Sequence, residues 1–375
     1  MRIDSIEIFR GSVPASEPSP AASSRRETVL VRITSAGLSG SGDAICGSAP
    51  TERPEWSASV LACLIDWLAP AVLGRDVPSG EALQAALAPF VGNPLAKSAL
   101  DLAWWDLKAR SQGLPLWQLL GGEQPRVEVG TEIGPQATPE ELLRAVGEAC
   151  ELGYGLVTLG IRPGWDLPMV RGVRQAFPAC RLALNFGGSA TLEQRDLFYQ
   201  LEDFQPAWFE QPLPADDLVG HAMLQEGLHT PLCLSEGIDS PQRVRQAADL
   251  GSCRLVRIDL TRAGGLTKAL TIQAECRAAG IGCLAASNAS GSFAAQAALA
   301  LSVLPGTTRP AINLPWGEAE RLTGNFELVK TFGQVPDECR CKLPAFELSG
   351  HLAPTLGKQA GGGLGIELPP PFAPS

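Results

Sequence analysis

The sequence predicts an α/β protein, a modified (β/α)8 TIM-type barrel with a smaller α+β capping domain, and three observations predict it. From about Val127 onward, short β-rich runs alternate with amphipathic helical runs at a period of roughly 25 to 30 residues, as repeated βα units require. The β-rich runs are 127–133, 155–161, 181–186, 207–210, 232–235, 254–260, 281–286 and 310–314, enough to close a parallel barrel. The first 125 residues carry a different texture, with two strand-like runs, a Pro/Ser/Ala-rich stretch and two helical runs.

Taken in order, the chain opens with strand candidates at 3–8 and 28–33, and the stretch 11–24 between them reads as a mobile loop. The better of the two following helices starts at Asn93-Pro94, runs through 96–110 and stops at Gly113 with Pro115 beyond. In the barrel, Thr138-Pro139-Glu140-Glu141 and Ser240-Pro241 place a hydroxyl at the N-cap and proline at the first helical position, where its missing N–H costs nothing. Leu142, Leu143, Val146, Ala149 and Cys150 then form the apolar stripe of a barrel-coating helix that Gly153 ends. The domain expectation is 1–125 for the cap, 126–342 for the barrel and 343–375 for a tail that returns to the cap.

At 375 residues, with 45% hydrophobic and 19% charged residues, the chain can bury a large core. Its net charge of -10 and the lack of a basic cluster oppose binding to nucleic acid or to an anionic membrane surface. No run reaches the roughly 18 to 20 apolar residues that span a bilayer, and the N-terminus has no apolar signal core, so a cytoplasmic location is expected. Ten cysteines are scattered, and the close pair Cys339 and Cys341 has no partner pair at metal spacing, which argues for reduced thiols. The three histidines, His221, His229 and His351, lie in helical or loop segments, so a triad or a histidine metal site is hard to assemble.

The run from Ala99 to Arg110, Ala-Leu-Asp-Leu-Ala-Trp-Trp-Asp-Leu-Lys-Ala-Arg, is followed by Gly113-Leu114-Pro115-Leu116 and Leu119-Leu120-Gly121-Gly122. Together they resemble the mandelate racemase and muconate-lactonising branch of the enolase superfamily. Pro163-Gly164-Trp165-Asp166, Phe209-Glu210-Gln211-Pro212-Leu213, Thr230-Pro231-Leu232-Cys233-Leu234 and Arg262-Ala263-Gly264-Gly265 are most similar to its o-succinylbenzoate synthase and N-acylamino acid racemase group. The resemblance implies a (β/α)7β-like barrel, with site residues at the C-terminal ends of the strands. It also implies proton abstraction next to a carboxylate by one of two facing lysines, with a divalent metal stabilising the enediolate.

At the positions that the resemblance gives to those groups, this chain reads differently. The first lysine motif falls on Thr158-Leu159-Gly160 and the opposite lysine on Asp259, while the metal-ligand positions read Asn185, Glu210 and Ser235. Glu236, one residue after Ser235, points to the other face of the strand. One carboxylate, one amide and one hydroxyl are a poor hard-cation site, so no metal and no other cofactor is expected. The lid positions that carry bulky aromatics in relatives read Ser16 and Pro20, and the seventh-strand segment reads Ala286-Ser287-Asn288-Ala289-Ser290.

Strand alternation turns Arg257 and Asp259 inward together; the resemblance puts Glu132 where relatives usually carry a small hydroxyl residue, and Glu210 adds a third carboxylate to the interior. Two readings follow. The group is either an internal salt-bridge network that keeps the barrel stable, or a metal-free acid–base site whose carboxylates are perturbed by burial and by one another. In the second reading Asp259, Glu132 and Glu210 are catalytic, Asp259 and Glu132 being preferred, and Arg257, Asn185, Ser235, Asn288, Ser290 and Thr158 contact substrate. The function expected is a repurposed cyclase, isomerase or dehydratase acting on a small acyl or polyketide-like intermediate. The alternatives are a pseudoenzyme that binds a metabolite or protein partner and, behind it, residual synthase or racemase activity. The expected partners are a small-molecule substrate and further copies of the chain in a homo-oligomer.

Overall fold

The computed structural model describes residues 1–14, 25–51, 53–123, 126–162, 164, 166–286, 293–315, 325–333, 355–358 and 364–367. Strands β1 (Ser5–Pro14), β2 (Arg25–Ser35) and β3 (Leu38–Cys46) form an antiparallel cap sheet, and the strand Asn325–Gly333 pairs with the free edge of β1. Residues 11–14, expected in a loop, continue β1 and pair with β2. The third strand was not expected. Its Leu-Ser-Gly-Ser-Gly run reads as a turn, but its glycines serve a helix, α1 (Pro94–Gln112), that lies on the strand. A Cβ on Gly40 would sit 2.2 Å from the Leu107 backbone nitrogen, and one on Gly42 would sit 2.2 Å from the Ala99 carbonyl oxygen. Only glycine permits that approach.

The helix α1 ends at Gly113 with φ 64°, as its sequence signals. Its start is less conventional. Asn93 lies in the left-handed region without capping through its side chain, and Glu55 accepts from the amides of Leu95 (2.8 Å) and Ala96 (3.1 Å) in its place.

The barrel strands are β4 (Arg126–Ile133), β5 (Val157–Gly160), β6 (Leu182–Asn185), β7 (Phe209–Glu210), β8 (Leu232–Leu234), β9 (Leu255–Ile258), β10 (Gly282–Ala286) and β11 (Thr307–Pro315). Each pairs in parallel with the next, and β11 pairs in parallel with β4, which closes the ring. Outside lie α2 (Pro139–Leu152), α3 (Asp166–Ala176), α4 (Arg195–Glu202), α5 (Leu218–Glu226), α6 (Pro241–Leu250), α7 (Leu266–Ala278) and α8 (Phe293–Ser302). Thr138 and Ser240 cap their helices as expected, accepting from the amides of Glu141 and Arg243. On α2 the buried face is Leu142, Ala145, Val146 and Ala149, whereas Cys150 is exposed.

The tail behaves differently from its expectation. The strand that joins the cap is Asn325–Gly333, upstream of residue 343, and the later hairpin of Thr355–Lys358 with Leu364–Glu367 pairs with residues 126–128 of β4 in the barrel. Cap and barrel are joined through buried polar groups. Asp101 on α1 accepts from the Thr267 amide (3.0 Å) and hydroxyl (2.7 Å) at the start of α7, and Asp43 on β3 accepts from the Ala294 amide (3.1 Å) at the start of α8. Burial pushes both carboxyls up, each to about 6. Among the described residues no helix is long and apolar enough to cross a membrane.

Candidate active site

The centre of the barrel holds a small apolar plug: Leu156, Ala183, Trp208, Cys233 and Leu284, with Leu255 packed against it. Side chains two residues further along a strand point to the same side. One layer above the plug, toward the C-terminal mouth, this places Thr158, Asn185, Glu210, Ser235 and Arg257 on the interior face. Glu132 joins them from β4, where it pairs in register with Thr158. Chemistry in barrels of this kind collects at that end.

The structure ties four of these residues into one chain of hydrogen bonds. Arg257 Nη1 donates to Glu210 Oε1 at 2.7 Å and to Glu132 Oε2 at 2.8 Å, and Asn185 Nδ2 donates to Glu132 Oε1 at 2.6 Å. Asn185 Oδ1 is turned away and accepts from the Gly187 amide at 3.0 Å. Among the described residues, two buried atoms of this network have no partner, Glu210 Oε2 and Arg257 Nε. The side chain of Glu210 is 1% exposed and that of Arg257 7%, whereas Glu132 is 25% exposed and opens toward the mouth.

This arrangement separates the two carboxyls electrically. Burial drives Glu210 up to about 7, with the neighbouring Glu132 adding to the rise and Arg257 opposing it. At Glu132 burial also acts upward, but Arg257 and the Asn185 amide outweigh it and hold the group below its ordinary value. Arg257 stays charged, because its two carboxylate partners overcome its own burial.

Asp259 is placed elsewhere than expected. The strand β9 ends at Ile258, and Asp259 becomes the N-cap of the short helix Leu260–Ala263, accepting from the amides of Thr261 (2.9 Å) and Arg262 (3.2 Å) and from the Thr261 hydroxyl (2.6 Å). Its second oxygen accepts from Arg53 of the cap at 3.0 Å, with Arg262 3.8 Å away. Both carboxyl oxygens are engaged in these contacts, which tie the end of β9 to Arg53 of the cap. Arg53, which also donates to the Thr261 hydroxyl at 2.8 Å, was missed in the sequence; it stands in an irregular Pro/Glu-containing stretch with no periodicity to mark it.

Thr158 is fully buried on the interior face, and Ser235 is buried just past β8. The backbone at Ser235 is held by Gln211, whose Oε1 accepts from the amides of Ser235 (3.0 Å) and Gly237 (3.2 Å). Gln211 itself has φ 37°, and its loop is braced by His221, which accepts from the Leu213 amide at 3.2 Å. Burial lowers the His221 pKa and keeps the ring neutral, so this histidine is a structural acceptor rather than a lone catalyst. Glu236, two residues past the end of β8, pairs with Arg262 at 3.4 Å, and its charge adds to the rise at Glu210. Asn288, Ser290, Ser16, Pro20, Cys339, Cys341 and His351 lie outside the described residues.

Residues 6–121 match the mandelate racemase / muconate lactonizing enzyme N-terminal domain, and residues 141–369 match the enolase C-terminal domain-like family. The chain belongs to the enolase superfamily. Among the relatives of this superfamily member, an N-succinylamino acid racemase from Thermus thermophilus is 37% identical over 83% of this chain and 85% of its own. An o-succinylbenzoate synthase from Geobacillus stearothermophilus is 36% identical over 84% of each chain. A solved enolase-superfamily member from Enterococcus faecalis V583 superposes with a TM-score of 0.78 at 30% identity, covering 84% of this chain and 86% of that one. Synthases, racemases and an L-Ala-D/L-Glu epimerase all occur among the relatives, so the family is one of enzymes.

Proposed function

We propose that this superfamily member is a metal-independent acid–base enzyme of the isomerase, cyclase or dehydratase type, acting on a small acyl-bearing substrate at the mouth of the barrel. The observation that carries the reading is the single guanidinium shared by two carboxyls whose proton affinities are driven apart. A pair separated in this way assigns its own roles, one member ionised and the other keeping a proton up to about pH 7. Glu132, ionised and open to the mouth, is the base that takes a proton from carbon next to a carbonyl. Glu210 holds the proton that is returned. The positive charge of Arg257 lies where the developing oxyanion needs it. Relatives named for N-succinylamino acids and o-succinylbenzoate are in keeping with an acyl substrate.

The metal that the family resemblance implies has no fitting donor set here. Glu210 offers one oxygen already bonded to a cation, Asn185 turns its N–H2 rather than its oxygen toward the cluster, and Ser235 adds only a hydroxyl. Hard divalent ions require several convergent oxygens. No step is therefore drawn through a metal.

The shared ion bridge also favours a second reading, a stable scaffold without turnover. Both are tested by deleting the gene in its native host, profiling metabolites, and complementing with wild type, Glu210→Gln or Glu132→Gln. The enzyme reading expects an intermediate that accumulates on deletion and is cleared only by wild type; purified protein then converts it in the presence of a chelator. Equal complementation by all three supports the scaffold, and loss of turnover in the chelator returns the protein to metal-dependent family chemistry.

A further inference from the structure

We infer that this barrel carries its own cation: the guanidinium of Arg257 occupies the place of a divalent ion, and removing it leaves a cation site made by Glu132, Glu210 and Asn185. The inference deepens the metal-independent reading above and rests on it, but it concerns occupancy rather than turnover.

Three observations support it. First, Arg257 Nη1 stands between carboxylate oxygens from two separate strands at 2.7 and 2.8 Å, so one positive centre bridges them as a metal would. Arginine meets carboxylates well through its planar, permanently charged head, and it brings that charge without losing a hydration shell from a free ion. Second, among the described residues Glu210 Oε2 is buried without a partner although its sister oxygen is bonded, so both oxygens are free to face a cation once the guanidinium is gone. Third, the amide of Asn185 is oriented by its neighbours, donating to Glu132 and accepting from the Gly187 amide. That orientation answers to a carboxylate already neutralised by Arg257. Without the guanidinium, turning the amide oxygen inward would satisfy a cation shared by the two carboxylates.

Charge decides between arginine and metal. With both carboxylates ionised the cluster holds two negative charges and one positive. Adding a divalent ion beside Arg257 would place two cations within one buried layer, which the low-dielectric interior disfavours. Removing Arg257 leaves two acidic groups and an amide that lack any counter-charge. Such a set suits Mg²⁺ or Mn²⁺, both oxygen-seeking ions.

The test is binding of Mn²⁺ or Mg²⁺ alone, read by thermal shift and by the electron paramagnetic resonance signal of free Mn²⁺, on the full chain. Wild type and Arg257→Lys are expected to show no saturable binding. Arg257→Ala is expected to melt lower than wild type without metal, to gain a saturable upward shift with Mn²⁺, and to lose that shift when Glu210→Gln is added. Saturable Mn²⁺ binding by wild type that Glu210→Gln abolishes overturns the inference, as does a folded Arg257→Ala that binds none. If Arg257→Ala does not fold, wild type and Arg257→Lys still decide, because binding by either one refutes an internal cation. These outcomes are separate from the acid–base test, since an enzyme that needs Glu132 and Glu210 for turnover remains one whichever way the Mn²⁺ titration falls.

Discussion

Replacing Arg257 by methionine isolates the charge of the bridge, because the side chain keeps much of its length and the cavity left behind is small. The guanidinium is 7% exposed and neutralises two carboxylates at 2.7 and 2.8 Å. Breaking a buried ion pair by removing one partner typically costs about 3 to 5 kcal/mol, since the charge that remains is stranded. Here two are stranded, and their mutual repulsion favours uptake of a proton. The loss at pH 8 is therefore expected at about 3 to 5 kcal/mol, and at pH 5 it should shrink as the freed carboxyls protonate. Urea unfolding of wild type and variant at both pH values measures this directly. A loss under about 1 kcal/mol at pH 8 would place the interaction in the range of exposed ion pairs and refute the reasoning. An equal loss at both pH values would also contradict it.

Glu210→Gln should flatten the pH dependence of stability. The folded protein keeps a proton on Glu210 up to about 7, while the unfolded chain releases it near 4.5, so this group favours folding at low pH and that contribution is lost as pH rises through 7. Asp43 and Asp101, raised to about 6, act in the same direction, so only the difference between variant and wild type isolates Glu210; parallel stability curves from pH 5 to 8 would show that the group is not shifted. Asp259→Ala removes an N-cap and the anchor of Arg53, at about 1 to 2 kcal/mol, and a double-mutant cycle with Arg53→Ala should show strong coupling between the two. Additive losses would mean that Arg53 takes nothing from Asp259. Gly42→Ala drives a methyl into the Ala99 carbonyl and should destabilise the cap by about 1 to 3 kcal/mol or more, measured by chemical denaturation; an unchanged midpoint would mean that α1 does not rest on β3 as described.

The barrel was legible because its signals are local and repeated. Thr138-Pro139 and Ser240-Pro241 begin helices, Gly153 ends one, and the apolar runs between them became the eight parallel strands. What escaped was non-local. The strand β3 is rich in Gly and Ser, which sequence periodicity counts as turn, and its strand state follows from the helix laid against Gly40 and Gly42. Glu55 and Arg53 likewise act on partners far along the chain, the first on the start of α1 and the second on Asp259. No spacing rule connects them. The pairing of Asn325–Gly333 with β1 is non-local in the same way, since it joins strands more than 300 residues apart.

The candidate site shows the same division at finer scale. Period-two alternation turns Arg257 inward, because side-chain direction in a strand is a local property, whereas Glu132, Asn185 and Glu210 were singled out by the resemblance. At Asp259, one residue past the end of β9 and still extended at φ -92°, the carboxyl caps the short helix that follows, a demand that alternation does not register. Alternation also says nothing about which carboxylate a long, flexible arginine selects. Asp259, two residues away, looks like its natural partner, yet the guanidinium bonds Glu132 and Glu210 across the barrel, while Asp259 accepts from four donors of its own. The consequence is chemical. With Asp259 committed to the cap and Glu132 held ionised, the carboxyl with both a raised proton affinity and an unpartnered oxygen is Glu210, the one acidic residue that the family resemblance leaves in place. In the proposed reading, the carboxyl that the resemblance gives to a metal is bonded instead to a guanidinium and becomes the group that holds and returns a proton.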